Sequence, residues 1–277
     1  MSPLSFTLSL LGISVVAGFI GSLLGLGGGI VVVPVLTLLY GIDIRYAIGA
    51  SIVSVIATSS GAAAAYVRER VTNLRVAMLL ELGTVSGAIT GAFLAGILRS
   101  RWLFVIFGLV MGLSSLAMLC RTKEYNEPVA PDAWADGLRL HDRFYDESLG
   151  QEVAYRVTHV KLGLFLMYLA GIISGLLGIG SGALKVPAMD LAMRLPIKVS
   201  SATSNFMIGV TAAASAGLYF ARADVHPFVV APVALGVVLG ATAGSKIMGR
   251  IDSRTLRVSF VAVLLIVSAQ MVWKGLQ

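Results

Sequence analysis

Cysteine occurs once, at Cys120, and histidine three times. A single thiol excludes an internal disulfide framework and cannot build a metal cluster alone. His141 and His159 have no partners at ligand spacing, so no metal and no cofactor are assigned. The sequence also lacks His-Glu-x-x-His, G-x-S-x-G and any paired His/Cys set, which leaves an enzyme without a catalytic constellation. Charge is scarce as well: 13% of the residues are charged, well below the share in a soluble domain. No Lys or Arg precedes Arg45. The first apolar segment therefore lacks the basic start of a cleavable signal peptide and is expected to belong to the fold.

What is present in excess is apolar sequence. Of the 277 residues 57% are hydrophobic, and the mean hydropathy is +0.90. Stretches long enough to span a bilayer recur from end to end. The expected fold is an all-α polytopic protein of the inner or plasma membrane, with lipid as its surroundings. The net charge of +7 would point to nucleic acid in a soluble protein. Here the basic residues lie in short loops between apolar segments, where they set orientation, and no nucleic-acid partner is expected.

The chain is one unit written twice. Gly25-Leu26-Gly27-Gly28-Gly29, followed by Pro34, returns as Gly178-Ile179-Gly180-Ser181-Gly182, followed by Pro187, at a constant offset of 153 residues. Without a gap, the same offset pairs Ser51 with Ser204, Thr58 with Thr211 and Tyr66 with Tyr219. It also pairs Gly83, Gly87 and Gly91 with Gly236, Gly240 and Gly244. Repeat one is expected over 1–120, with half-helices in 5–40 and helices over 46–66, 75–98 and 102–120. Repeat two is expected over 160–277, with half-helices in 160–195 and helices over 199–220, 226–247 and 256–275. The polar stretch 121–159 reads as a solvated cytoplasmic linker, although its second half alternates weakly enough to permit a β-hairpin.

Basic residues decide between parallel and inverted repeats. With Lys185, inside a half-helix, left out of both counts, Lys and Arg divide 11 to 9 between the two faces if each glycine-interrupted segment crosses the membrane once. If each dips in and returns, they divide 15 to 5, the minority being Arg45, Arg99, Arg101, Arg222 and Lys274. The positive-inside rule then favours two inverted repeats, each a re-entrant broken helix pair followed by three transmembrane helices, with both termini outside.

Paired helix breaks in inverted repeats point to a binding site. Backbone N–H groups left without helical partners, together with the positive end of the helix dipole, favour an anion. Four-residue glycine spacing in Gly83/Gly87/Gly91 and Gly236/Gly240/Gly244 is instead the signature of close helix packing. A homodimer through these ladders is conceivable, unless they are consumed within one subunit. In the second copy Ser181 replaces Gly28 and Lys185 replaces Val32. A lysine in an apolar half-helix needs a cavity or a partner; it can supply charge for an anion or pair with Asp190. Ser51, Thr203, Ser204 and Asn205 open the following helices and are candidates for completing the anion shell. Glu81 is read either as a proton relay or as an interfacial carboxylate.

The G-x-G-G-G loop with Pro34 five residues on, the helix start at Ala47-x-Gly49-Ala50-Ser51, and a weaker second copy resemble the TauE/SafE family of sulfite exporters. The resemblance implies a secondary transporter exporting a small sulfur-containing anion such as sulfite or a sulfonate, drawing on the proton-motive force. Carried over by position, Gly25, Gly27, Gly28, Gly29, Gly178, Gly180, Ser181 and Gly182, with Ser51, Thr203 and Ser204, would frame the anion. Ala50 stands where the family often has Thr, and 121–159 is an elaboration. An anion channel on the same scaffold, or more remotely a membrane-embedded enzyme or assembly factor, is the alternative.

Overall fold

The computed structural model describes residues 3–119, 131–248 and 250–276. Cys120 and the first part of the polar linker lie outside the described residues. Helix α1 (Pro3–Leu24) is followed by a short α2 (Gly29–Pro34) that widens into a π-turn over Val35–Leu39. Three long helices come next: α3 (Ile44–Arg68), α4 (Leu74–Ala95) and α5 (Ser100–Leu119). After α6 (Ala133–Gly137), β1 (Asp142–Asp146) and β2 (Gln151–Tyr155), the pattern returns. Helix α7 (Val160–Leu177) leads to α8 (Gly182–Pro187) with its own π-turn over Ala188–Ala192, then to α9 (Ile197–Ala221), α10 (Pro227–Met248) and α11 (Ser253–Leu276). Six of these helices are long and apolar enough to cross a membrane. The chain is thus a helical, multi-pass membrane protein.

Local chemistry sets the boundaries. Asp43 and Asn73 cap α3 and α4 by accepting from the N–H groups of Arg45 and Val76 at 2.8 and 3.0 Å. Pro34 and Pro187 lack an N–H, so the α-helical ladder loses one rung at the end of each short helix. Both chains then continue as a π-turn, at the same offset in each repeat. The halves of each interrupted segment are unequal: α1 has 22 residues and α2 has 6.

Glycine contacts give the helix directions. A Cβ on Gly236, Gly240 or Gly244 of α10 would overlap Leu11, Val15 and Ser22 of α1 in ascending order, so α1 and α10 run the same way. A Cβ on Gly83, Gly87 or Gly91 of α4 would likewise meet Leu164, Tyr168 and Ile172 of α7. Gly108 of α5 faces Val272 and Gly112 faces Ser268, so α5 and α11 are antiparallel. Both ladders are thus consumed within the chain, between repeats, which corrects their use in a homodimer interface. Because α3 joins α4 through a short loop, as α9 joins α10, the contacts also fix the rest. Helices α1, α3, α5 and α10 share one direction, and α4, α7, α9 and α11 take the other.

The second half of the polar linker is not a loose solvated segment. It folds as an antiparallel hairpin, with Asp142 opposite Tyr155 and Asp146 opposite Gln151. Its Phe144 and Tyr155 join Tyr66, Val71 and Met248 in one apolar cluster. Asn73 ties it down further, donating to Leu140 O and Tyr155 Oη at 2.9 Å each.

Close packing at the ladders predicts a sharp contrast between two glycines. Gly175 lies against the Ala88 carbonyl, whereas Gly12 faces open space. Gly175→Ala should cost about 1–3 kcal/mol through overpacking, while Gly12→Ala should be neutral. Thermal unfolding in detergent measures both; equal melting temperatures would contradict this account of the helix contacts.

Candidate functional site

The two glycine breaks lie side by side between α3 and α9. A Cβ on Gly182 would overlap the Gly25 carbonyl, and Gly27 and Gly180 both pack on the same pair of side chains, Val55 and Ile208. Gly25, Gly27, Gly178 and Gly180 have φ between +65° and +74°, a region open to glycine without strain. Ser181 also adopts positive φ, at 57°, and its hydroxyl donates to Gly180 O at 2.7 Å.

Each break is held by a serine of the opposite repeat and a tyrosine of its own. Ser51 Oγ donates to Gly178 O at 2.6 Å, and its equivalent Ser204 Oγ donates to Gly25 O at 2.7 Å. Tyr66 Oη donates to Ser22 O at 2.9 Å and Tyr219 Oη to Gly175 O at 2.6 Å, again a matched pair. These bonds satisfy carbonyls at the ends of α1 and α7, where helical partners run out. The Ser51 and Ser204 protons are therefore committed to the breaks and do not face an open space.

The remaining predicted residues divide. Gly28 N–H reaches Thr58 Oγ1 at 3.4 Å, and Gly29 packs on Ser51 Oγ. Asn205 Nδ2 donates to Ser22 O at 2.6 Å, while its buried Oδ1 has no hydrogen-bond partner among the described residues. Thr203 points elsewhere, accepting from the Asn73 N–H at 3.1 Å. From α9 it thus serves the α3–α4 turn.

Charge enters at break two alone. Lys185 on α8 is fully buried. Its Nζ donates to Thr211 Oγ1 at 2.6 Å and lies 3.8 Å from Glu81 Oε2. Thr211 Oγ1 is also 2.6 Å from Glu81 Oε1, so ammonium, hydroxyl and carboxylate form one cluster bridging α8, α9 and α4. The expected pairing of Lys185 with Asp190 is corrected. Asp190 lies on the π-turn, which rotates it toward α11, where Arg257 Nη1 approaches Asp190 Oδ2 at 3.0 Å. Glu81 is not interfacial; only 9% of it is exposed. At the equivalent positions stand Val32 and Thr58 of repeat one and Ala234 of repeat two, so the backbone is duplicated and the charge is not. Thr211 was visible in the sequence only as a repeat partner of Thr58. The signal that finds the cluster is two opposite charges set in otherwise apolar helices.

A cavity of about 250 Å³ opens beyond break two, lined in part by Arg45, Ile48, Tyr219, Arg222 and Asp224. Ile48 is also the residue against which Gly178 packs. Partial burial pushes the Asp224 carboxyl above its ordinary range, against the pull of Arg222 and Arg45.

A model of the family described as sulfite exporter TauE/SafE matches residues 10–271. The probable membrane transporter protein YunE of Bacillus subtilis is 27% identical over 274 residues, covering 95% of this chain and 96% of its own. A probable membrane transporter protein of Xylella fastidiosa is 26% identical over 262 residues, covering 93% and 92%. No solved structure matches.

The cluster predicts non-additive losses. Breaking a buried ion pair by removing one partner costs about 3–5 kcal/mol, whereas removing both charges costs less. Lys185→Met should therefore destabilise the protein more than the double variant Glu81→Gln/Lys185→Met, as read from melting temperatures in detergent. Strictly additive losses would show that the two charges do not interact.

Proposed function

Because the chain belongs to the sulfite exporter TauE/SafE family and is a multi-pass membrane transporter, we propose that it exports a small sulfur-containing anion across the inner or plasma membrane. Sulfite, a sulfonate or a related organosulfur anion suits the positive charge of Lys185 at the site. The observation that carries this reading is the buried Lys185 beside break two. A cation held in a protein interior at the level of a helix break is expensive unless it meets an anion or a carboxylate, and Glu81 supplies the carboxylate here.

In this reading the anion takes up position between break two and Lys185. It gains the ammonium charge and backbone N–H groups, and Glu81 opposes it across Thr211. Glu81 thereby sets how much of the lysine field reaches the substrate. The proton-motive force enters at least through its electrical component. An anion leaving an inside-negative cell gains about 2.3 kcal/mol per charge per 100 mV.

The helix directions support an inverted arrangement of the repeats. Helices α1 and α3 share one direction, so the segment 25–43 must return toward the side from which α1 entered. The equivalent segment of repeat two returns toward the opposite side. Two breaks entered from opposite faces, each clamped by a serine of the other repeat, suit alternating access, in which one repeat rocks against the other around a fixed site. A channel on the same scaffold would need a continuous path past break two, and the packing of Gly27 and Gly180 against Val55 and Ile208 favours the carrier.

Purified protein in proteoliposomes should exchange labelled sulfite for unlabelled sulfite with saturation. Lys185→Met should abolish exchange and Glu81→Gln should tighten anion binding several-fold; full exchange by Lys185→Met sinks the role given to that lysine, and single-channel currents would replace the carrier by a channel. Orientation has its own test. In a Cys120→Ser background, single cysteines at Ser148 and Lys274 should react with an impermeant maleimide from opposite sides of the membrane, and reaction from one side would contradict the inversion.

A further inference from the structure

The repeat relates the two mouths of the molecule residue by residue, and they are filled differently. At one mouth Arg45, Ile48 and Tyr219 line the open cavity. The offset of 153 residues carries these three to Lys198, Ser201 and Tyr66. The backbone around them is matched: as Ile48 packs on Gly178, Ser201 packs on Gly25. As Tyr219 bonds Gly175 O, Tyr66 bonds Ser22 O. At this second mouth the cation is covered: Lys198 is 2% exposed, whereas Arg45 is exposed.

The hairpin covers Lys198. Asp146, the last residue of β1, places Oδ1 2.7 Å from Lys198 Nζ, and Ser148 Oγ lies 2.9 Å from the same ammonium. The turn is built to present that carboxylate, because the Ser148 N–H and hydroxyl both donate to Asp146 Oδ1, at 2.9 and 2.6 Å. Phe144 and Tyr155 of the hairpin close the apolar side against Tyr66 and Met248. A lysine at the mouth of an anion exporter thus carries a carboxylate that reaches it on a separate, folded insert.

We propose that Lys198 is the cytoplasmic loading subsite for the exported oxyanion, and that the hairpin is a lid holding Asp146 on it as a tethered stand-in for that anion. The identity of the ligand rests on the exporter reading above; the lid does not. An incoming sulfonate or sulfite offers Lys198 the same charge and the same acceptor oxygens as Asp146, so loading is an exchange of one oxyanion for another. Burial works to raise the Asp146 carboxyl, and Lys198 and Ser148 outweigh it and hold it below the ordinary carboxylate range. The stand-in is therefore charged at neutral pH, as the exchange requires. Glu69, where the other mouth has Arg222, leaves Lys198 as the cation of this pair of equivalent positions.

Maleimide labelling of Ser201→Cys in the Cys120→Ser protein, purified in detergent, tests this without transport or sidedness. The parent should label slowly. Asp146→Asn should label about tenfold faster, as a lid that has lost its latch opens more often, and millimolar methanesulfonate should slow it again. Asp146→Asn/Lys198→Gln, which leaves no unpaired buried charge if the single variant fails to fold, should label fast and gain no protection. Unchanged labelling in both variants overturns the lid. Fast labelling without methanesulfonate protection overturns Lys198 as an oxyanion subsite. Protection in a protein that shows no sulfite exchange would instead overturn the exporter reading and leave the subsite standing.

Discussion

Backbone that leaves the helix inside a membrane must be satisfied by the protein itself, and that constraint organises this molecule. At the two glycine breaks the helical carbonyls run out of partners in a region without water. Ser51 and Ser204 answer by reaching across to the break of the other repeat, and Tyr66 and Tyr219 satisfy carbonyls one turn earlier within their own repeats. Each break draws a tyrosine from its own repeat and a serine from the other. The halves are thus locked together by polar bonds at the centre and by glycine-lined helix contacts at the flanks. Small residues at those flanks let backbones approach, which is what drives association between helices surrounded by lipid.

On this symmetric frame, charge is placed asymmetrically. Lys185, Thr211 and Glu81 bridge three helices beside break two, where the equivalent positions hold Val32, Thr58 and Ala234. A duplicated backbone can supply two equivalent approaches to a site, while a single buried cation gives one anchoring point between them. The same division holds at the mouths, where Arg45 lines a cavity and its counterpart Lys198 is covered by the hairpin. Symmetry provides the routes, and departures from it provide the chemistry.

Much of this was legible in the residues. The offset of 153 fixes equivalent elements to the residue: α3 and α9, α4 and α10, and α2 and α8 all begin and end at that spacing. The glycine ladders read correctly as packing surfaces because four-residue periodicity has a geometric meaning on a helix. What the sequence could not give was the partner across a tertiary contact. Asp190 lies five residues from Lys185 and Glu81 lies over a hundred away, yet the π-turn after Pro187 sends Asp190 to Arg257 and leaves Glu81 to the lysine. Ser51 and Ser204 were read as anion ligands because hydroxyls near a break suit that role. The carbonyls that claim them become visible only when the repeats are docked. Weak alternation permits the hairpin, but its polar composition matches a solvated linker as well, and a few buried contacts hold it, those of Phe144, Asp146 and Tyr155.

The central claim is that a small oxyanion sits between break two and Lys185. Selenite, a heavier analogue of sulfite, reports its own position by anomalous scattering in crystals of the Cys120→Ser protein. The account predicts an anomalous peak within hydrogen-bonding distance of Lys185 Nζ and beside Gly178–Gly182. A peak confined to the cavity at Arg45 and Arg222, with none beside Lys185, would contradict it.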